Sequence, residues 1–463
     1  MKDLTQGSVT KQLLGMAGFM MMGMVVQILY NLIDTYWVGR LGASAQAAVG
    51  LSRNLMMISM AVAQMLGAGT GALVAQAVGR KDHEESHHIF NQALGISLVT
   101  MVVYLAVVLL VRGPFSRGLS ADSETAGLAT RYLNWFAPAL ALQFPMMAMG
   151  SALRGTGNMK PGTVSQVSSV LLNMVLAPLL IFGWLGFPKM GVAGAGLATF
   201  IGVLAANIGL FLYFLRPGVY LKLRPREWPA KAATWWRILK IGLPSAVEFG
   251  LMFCYMMFVF AVLRPFGASA QAAFGVGQVL LQSAMMPVMS ISFASSAVAG
   301  QAYGARLPQR VRESFAVTLK ISLCCTAVLF LLAQLLGSHL AQGFTTDPAV
   351  IAGATEFIRV LSFNLMAVAV AFSCFGVLSG LGNTLPTLIS SASRIGLIVV
   401  VVLALHGVEG FRPLWIWLAS LGGTVVQMSL NLFFLRRELH KKLGPLMAAD
   451  VPAAPMPRAE SAS

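Results

Sequence analysis

Two carboxylates sit where an acid is costly. Asp34 and Glu248 each fall within long apolar stretches, and a charge near the centre of a membrane-depth helix costs about 2.5–3.5 kcal/mol. Gln27, Asn31 and Asp34 are spaced i, i+4 and i+7, which puts them on one helical face, and Tyr30 borders that face one turn before Asp34. A carboxylate beside amide and phenol oxygens can hold a proton or a hard cation such as Na⁺. The competing reading is an acid near a helix end that reaches interfacial water. Glu248 lies one turn after Pro244 and has the same two readings, a second protonatable or cation-attracting group or a solvated helix end. Arg53 and Arg394 also fall inside apolar stretches, as counter-ions or substrate-sensing groups, or as side chains that snorkel to a headgroup. Met252, Met256, Met257, Met285, Met286 and Met289 cluster in two neighbouring stretches. Their thioethers suit promiscuous apolar binding or serve as filler.

The elements that must position these residues follow from composition. Hydrophobic residues make up 57% and charged residues only 10% of the chain, against about 25% charged in soluble domains. One soluble core cannot absorb that much apolar surface, so the solvent is a bilayer. Runs such as Ile96–Val111, Leu323–Leu336 and Leu397–Leu405 hold almost no charge. The alternating strands of a membrane barrel are absent, which leaves an all-α integral membrane protein of twelve spanning helices, among them 12–38, 238–263, 348–379 and 412–435. An even count puts both termini on one side. Most of the 32 Lys and Arg gather at the termini and in the even-numbered loops, so that side is expected to be the cytoplasm. The net charge of +16 is thereby a matter of topology, and no nucleic-acid motif accompanies it. The expected domains are an N-terminal six-helix lobe (1–220), a basic, Pro-containing cytoplasmic linker (221–237), a C-terminal six-helix lobe (238–440) and a disordered cytoplasmic tail (441–463).

Six spans have been duplicated. Gly42-Ala-Ser-Ala-Gln-Ala-Ala48 recurs letter for letter at Gly267–Ala273, an offset of 225. The same offset pairs Tyr30 with Tyr255, Gln76 with Gln301, Gly79 with Gly304, and Gly-x-Gly-Asn-x-x-Pro at Gly155–Pro161 with Gly380–Pro386. Such parallel repeats rock against each other around a midplane site in transporters. The acids diverge between the copies: Gly23 stands opposite Glu248, and Val259 opposite Asp34. His83-Glu-Glu-Ser-His87 matches H-E-x-x-H, but it lies in a charged loop, Asp82 and Glu85 read as a helix start, and the second copy has no ligands there. No metal site or enzyme activity is expected from it. Cys254, Cys324, Cys325 and Cys374 lie in apolar spans and read as small apolar residues.

Tyr30-Asn-Leu-Ile-Asp34-Thr-Tyr-Trp-Val-Gly39, Gln76…Gly79, Leu153-Arg-Gly-Thr-Gly-Asn158…Pro161, Leu172-Asn173 and Gly191-Val-Ala-Gly-Ala-Gly-Leu-Ala-Thr199 resemble the MATE family, the multidrug and toxic compound extrusion transporters, most closely its DinF-type branch. The resemblance covers Thr10–Arg437. It implies two homologous six-helix bundles around a central cleft and antiport of amphipathic or cationic small molecules against H⁺ or Na⁺. It matches Asp34, Asn173 and Thr199 to the family's cation-coupling residues, with Asn31 and Tyr30 beside them, and leaves Glu248, Gln27, Tyr255, Met252, Met286, Arg53 and Arg394 as candidates for cargo contact or second-lobe coupling. Ala177 stands where relatives often carry a second acid, which favours Asp34 with neutral oxygens over a full Na⁺ cage. No cofactor beyond the coupling ion is implied. The expected setting is a bacterial inner membrane, as a monomer. A flippase for lipid-linked cargo, from the same superfamily, is the alternative.

Overall fold

A computed structural model describes residues 3–449 apart from residues 121 and 409. Among these residues the regular structure is helical. The first bundle holds α1 (Val9–Gly39), α2 (Ala43–Gly79), α3 (His83–Leu119), α4 (Ser123–Gly155), α5 (Lys160–Phe182) and α6 (Val192–Leu215). The second holds α7 (Ala232–Leu263), α8 (Ala268–Gly304), α9 (Pro308–Gln342), α10 (Pro348–Leu361), α11 (Asn364–Gly380), α12 (Leu385–His406) and α13 (Pro413–Ala449). Eleven helices are long and apolar enough to cross a bilayer singly, and α10 with α11 forms a twelfth span bent by 53°. That break falls where one continuous helix is expected. Gln334 of α9 caps it, donating to the Arg359 carbonyl at 2.8 Å and the Ser362 hydroxyl at 2.7 Å.

Two expected boundaries shift. α7 begins at Ala232, inside the segment read as linker, because its polar first turns are held by α3: His88 meets Thr234 and Arg237 pairs with Glu85 at 2.8 Å. Residues 441–449, read as disordered tail, continue α13, where Lys442 pairs with Glu438 and donates to the Leu381 carbonyl at 2.7 Å. The rest of that tail lies outside the described residues.

The duplication is written into the backbone. Left-handed φ values recur at the same offset: Gly42 with Gly267, Lys81 with Arg306, Gly157 with Gly382, and Leu185 with Gly410. The glycines at 157 and 382 permit the turn that ends α4 and α11. The packing is reciprocal as well. The first half of α1 packs on α8 of the other bundle, through Val9, Leu13 and Met16 against Ile291, Ala294 and Val298. The first half of α7 packs on α2, with no room for a Cβ at Gly242 against the Met65 carbonyl or at Gly69 against the Ile238 carbonyl.

The end of the molecule that holds Leu4 and the last turns of α13 is sealed by one more exchange. Gln76 donates to the Gly380 carbonyl at 2.9 Å, and Gln301 donates to the Gly155 carbonyl at 2.8 Å. A Cβ at Gly79 would lie 2.1 Å from the Gln301 carbonyl oxygen, and one at Gly304 would lie 2.1 Å from that of Gln76. Leu4, fully buried, straps this seam from the N-terminal side. Its N–H donates to Gln301 at 3.0 Å and its carbonyl accepts from Arg310 at 2.8 Å. Among the described residues, every hydrogen bond between the bundles lies at this end. Toward the other end the second half of α1 faces α5 and α6 of its own bundle, through Tyr30 and Thr199.

Candidate functional site

Glycines bring the first polar cluster together. α6 lies tight on α5 because a Cβ at Gly194 would sit 2.4 Å from the Leu180 carbonyl and one at Gly202 2.7 Å from that of Ser169. Asn173 of α5 can then donate to the Thr199 hydroxyl of α6 at 3.0 Å. Thr199 spends its own proton on the Ala195 carbonyl at 3.1 Å, so the Tyr30 hydroxyl, 3.2 Å away, must be a donor to Thr199. Asp34 follows one turn later on α1, half-buried, and its buried Oδ1 has no hydrogen-bond partner among the described residues. Arg53 reaches from α2 to the Thr35 hydroxyl at 3.4 Å, which sets a guanidinium beside this acid. Pro178 removes an N–H from α5 and leaves the Met174 carbonyl without its helical donor, next to Asn173. Ala177 is buried in an apolar cluster with Leu180 and Ile181, so no second acid joins Asp34 on that turn.

The polar stripe of α1 is not used evenly. Asn31 is exposed and Gln27 half-buried, and among the described residues neither side chain bonds to the Tyr30–Thr199–Asn173 cluster.

A second cluster occupies the other bundle. The Ser391 hydroxyl of α12 donates to Glu248 of α7. Gln427 of α13 donates to Ser391 at 2.9 Å and accepts from Arg394 at 3.3 Å. Arg394 also lies over the Tyr255 ring, 5.5 Å from its centroid, while its buried Nε has no partner among the described residues. Glu248, Tyr255 and Arg394 thus join one network. Ser391 and Gln427, which link them, escape a sequence reading that follows charge alone. Their signal is weak: a serine one turn before Arg394 and one of the two amides, Gln427 and Asn431, in α13. Tyr30 and Tyr255, equivalent in the repeat, each serve the polar cluster of their own bundle. Met252 is exposed one turn beyond Glu248, and Met286 is half-buried on α8.

The H-E-x-x-H segment is engaged elsewhere. Asp82 caps α3 by accepting from the Glu85 N–H at 2.9 Å. Glu84 grips Arg224 of the interlobe connection with both oxygens, at 2.6 and 3.0 Å, and His87 meets the Tyr220 carbonyl at 2.7 Å. Bonds from Glu84 and Glu227 hold the Arg224 guanidinium protonated, above its usual range. Buried Asn91 clasps the same connection, donating to the Lys222 carbonyl and accepting from the Arg224 N–H and the Trp228 indole. Among the described residues no group of three or more His, Cys, Asp or Glu could hold a metal ion.

A twelve-span helical protein with duplicated bundles sealed to each other at one end and polar clusters inside the spans is built as a membrane transporter. The MatE family model matches residues 20–179 and 244–405, and the chain belongs to that family. It is similar to the multidrug export protein MepA of Staphylococcus haemolyticus, at 24% identity over 91% of this chain and 92% of that one. It is also similar to an FAD transporter of Shewanella oneidensis, at 24% identity over 95% and 97%. Its fold matches a solved outward-facing multidrug resistance MATE transporter with a TM-score of 0.88 and 24% identity, over 95% of this chain and 98% of that one. Proteins of this family are efflux transporters and not enzymes.

Proposed function

We propose that this chain is a secondary antiporter of the bacterial inner membrane that exports amphipathic or cationic small molecules in exchange for H⁺ or Na⁺. Asp34 carries the reading. It is a half-buried carboxylate with a buried, partnerless oxygen, on the helix that packs on both bundles. A cation there meets one carboxylate, the neutral oxygens of its surroundings and a nearby guanidinium. Loading or unloading it changes the charge at the hinge between the bundles. Coupling requires the cation to bind the two conformations with different affinity. The location of Asp34 supports this, because the surroundings of α1 change when the bundles separate.

The basic residues at the termini favour a cytoplasmic location for the sealed end. In that orientation the seal closes the cytoplasmic side, which fits a state that releases cargo outside and takes up a cation. The naming of relatives such as MepA as multidrug exporters supports drug-like cargo. Asp34→Asn is expected to abolish drug resistance in an efflux-deficient host while the protein still reaches the membrane. Full resistance with that variant overturns the assignment.

A further inference from the structure

Arg154 stands in the last turn of α4, one residue from the carbonyl that receives Gln301. Its guanidinium points across the seam and lies 5.8 Å from the ring of Phe293 on α8. It is half-buried, and no carboxylate pairs with it among the described residues. The acceptors it meets in its own bundle are the Ser151 hydroxyl at 2.6 Å and the Met147 sulfur at 3.9 Å. A guanidinium has five N–H donors, so most remain uncommitted. The negative end of the α4 dipole offsets part of the charge, but it supplies no acceptor on the far side of the seam.

The free face of Arg154 looks into a cavity between the bundles, lined also by Gln64, Gly67, Gly71, Ser296 and Ser379. Gly67 of α2 abuts α4, where a Cβ would fall 2.9 Å from the Ser151 hydroxyl; Phe293, Phe375 and Ala297 supply apolar walls, and Arg154, Gln64, Ser296 and Ser379 supply the polar side chains. Ser296 donates to Ser379 at 3.4 Å, which frees the Ser379 proton for another acceptor. Ser379 is the repeat counterpart of Arg154, so the two copies contribute a cation and a hydroxyl to one cavity. The space open to water-sized centres is about 30 Å³. A single water needs about 10–15 Å³ on this measure, whereas pockets for drug-sized ligands run to about 300–1,000 Å³. The cavity has the size of one small ion.

We propose that Arg154, with Gln64, Ser296 and Ser379, forms a site for one small anion of chloride or carboxylate size, held between the two bundles. Its donors come from both sides of the seam, so the anion binds while the terminal end is sealed and leaves when the bundles part. Anion occupancy then favours the sealed conformation by linkage.

The test uses purified full-length protein in detergent, in sodium chloride, sodium acetate or sodium gluconate at equal ionic strength. Gluconate is too large for the cavity. Chloride is expected to raise the thermal midpoint, read from the intrinsic tryptophans, by a few degrees in a saturable manner. Acetate doing the same assigns the site to carboxylates as well, and chloride alone restricts it to the spherical ion. Arg154→Gln should abolish the saturable shift, Arg154→Lys should keep part of it, and Ser379→Ala should need several-fold more anion for the same shift. Spin labels across the seam at positions 83 and 309 should report a narrower, shorter distance in chloride than in gluconate for the wild type only. Equal midpoints in chloride and gluconate, or an unchanged shift in Arg154→Gln, overturn the site. If Arg154→Gln does not fold, Ser379→Ala decides, and an unchanged anion requirement there overturns it too. None of these readouts needs transport, so failure of the antiporter reading would leave them informative.

Discussion

Replacing Gly79 and Gly304 with alanine places two methyl groups where the terminal seal has no room. Each new Cβ would lie 2.1 Å from a carbonyl oxygen of the other bundle, and real Cβ contacts do not fall under 3.0 Å. The facing helices must therefore part by at least 0.9 Å, the difference of those two distances. Added along the bond, that displacement takes the 2.9 Å contact from Gln76 to Gly380 and the 2.8 Å contact from Gln301 to Gly155 beyond the 3.5 Å limit of a hydrogen bond. At about 1 kcal/mol net per bond, losing both costs the sealed state about 2 kcal/mol. The ratio of sealed to open protein then falls about 30-fold, since each 1.4 kcal/mol is a factor of ten. Spin labels at His83 and Gln309, both exposed near the seam, in a cysteine-free background, read the populations as a distance distribution. The double variant should shift weight to the longer distance. Gly50→Ala with Gly275→Ala is a matched control, being a repeat pair on the same two helices where an added methyl meets nothing within 4 Å. Equal distributions for the seal variant and the control would refute the claim that these glycines hold the end shut.

Arg310→Ala removes three acceptor contacts to the N-terminal strap, at Leu4, Gln6 and Gln12, and should move the same distance distribution in the same direction by a smaller amount. Thr199→Val strands the Tyr30 and Asn173 donors; a loss of about 1–3 kcal/mol for each unsatisfied group is the expected order. Tyr30→Phe combined with Asn173→Ala should be non-additive by about 0.5–3 kcal/mol in a double-mutant cycle, and strict additivity would separate the two residues. Asn91→Ala should lower the thermal midpoint far more than Arg224→Ala, because Asn91 is fully buried with three bonds to the interlobe connection, whereas exposed ion pairs contribute about 0–1 kcal/mol.

Periodicity and composition are enough to read the spans, because a bilayer demands long apolar helices. The exact repeat at Gly42 and Gly267 is enough to read the two bundles. Asp34 and Glu248 stand out on cost alone. The bend between α10 and α11 is not legible: Ser362 and Phe363 carry no breaker signal, and the turn is held by Gln334 from another helix. Ser391 and Gln427 are ordinary polar residues until folding sets them between Glu248 and Arg394. Arg154 reads as a loop charge from hydropathy, since its burial depends on the second bundle closing over it. Asn31 and Gln27 share a helical face with Asp34, yet a shared face does not decide which side chain meets a neighbour.

The coupling role proposed for Asp34 is tested most directly in proteoliposomes, by following a cationic dye under separately imposed proton and sodium gradients. Uphill dye export driven by at least one inward cation gradient is expected, with its loss in Asp34→Asn while dye binding is retained. Uphill movement at the wild-type rate in Asp34→Asn would contradict it.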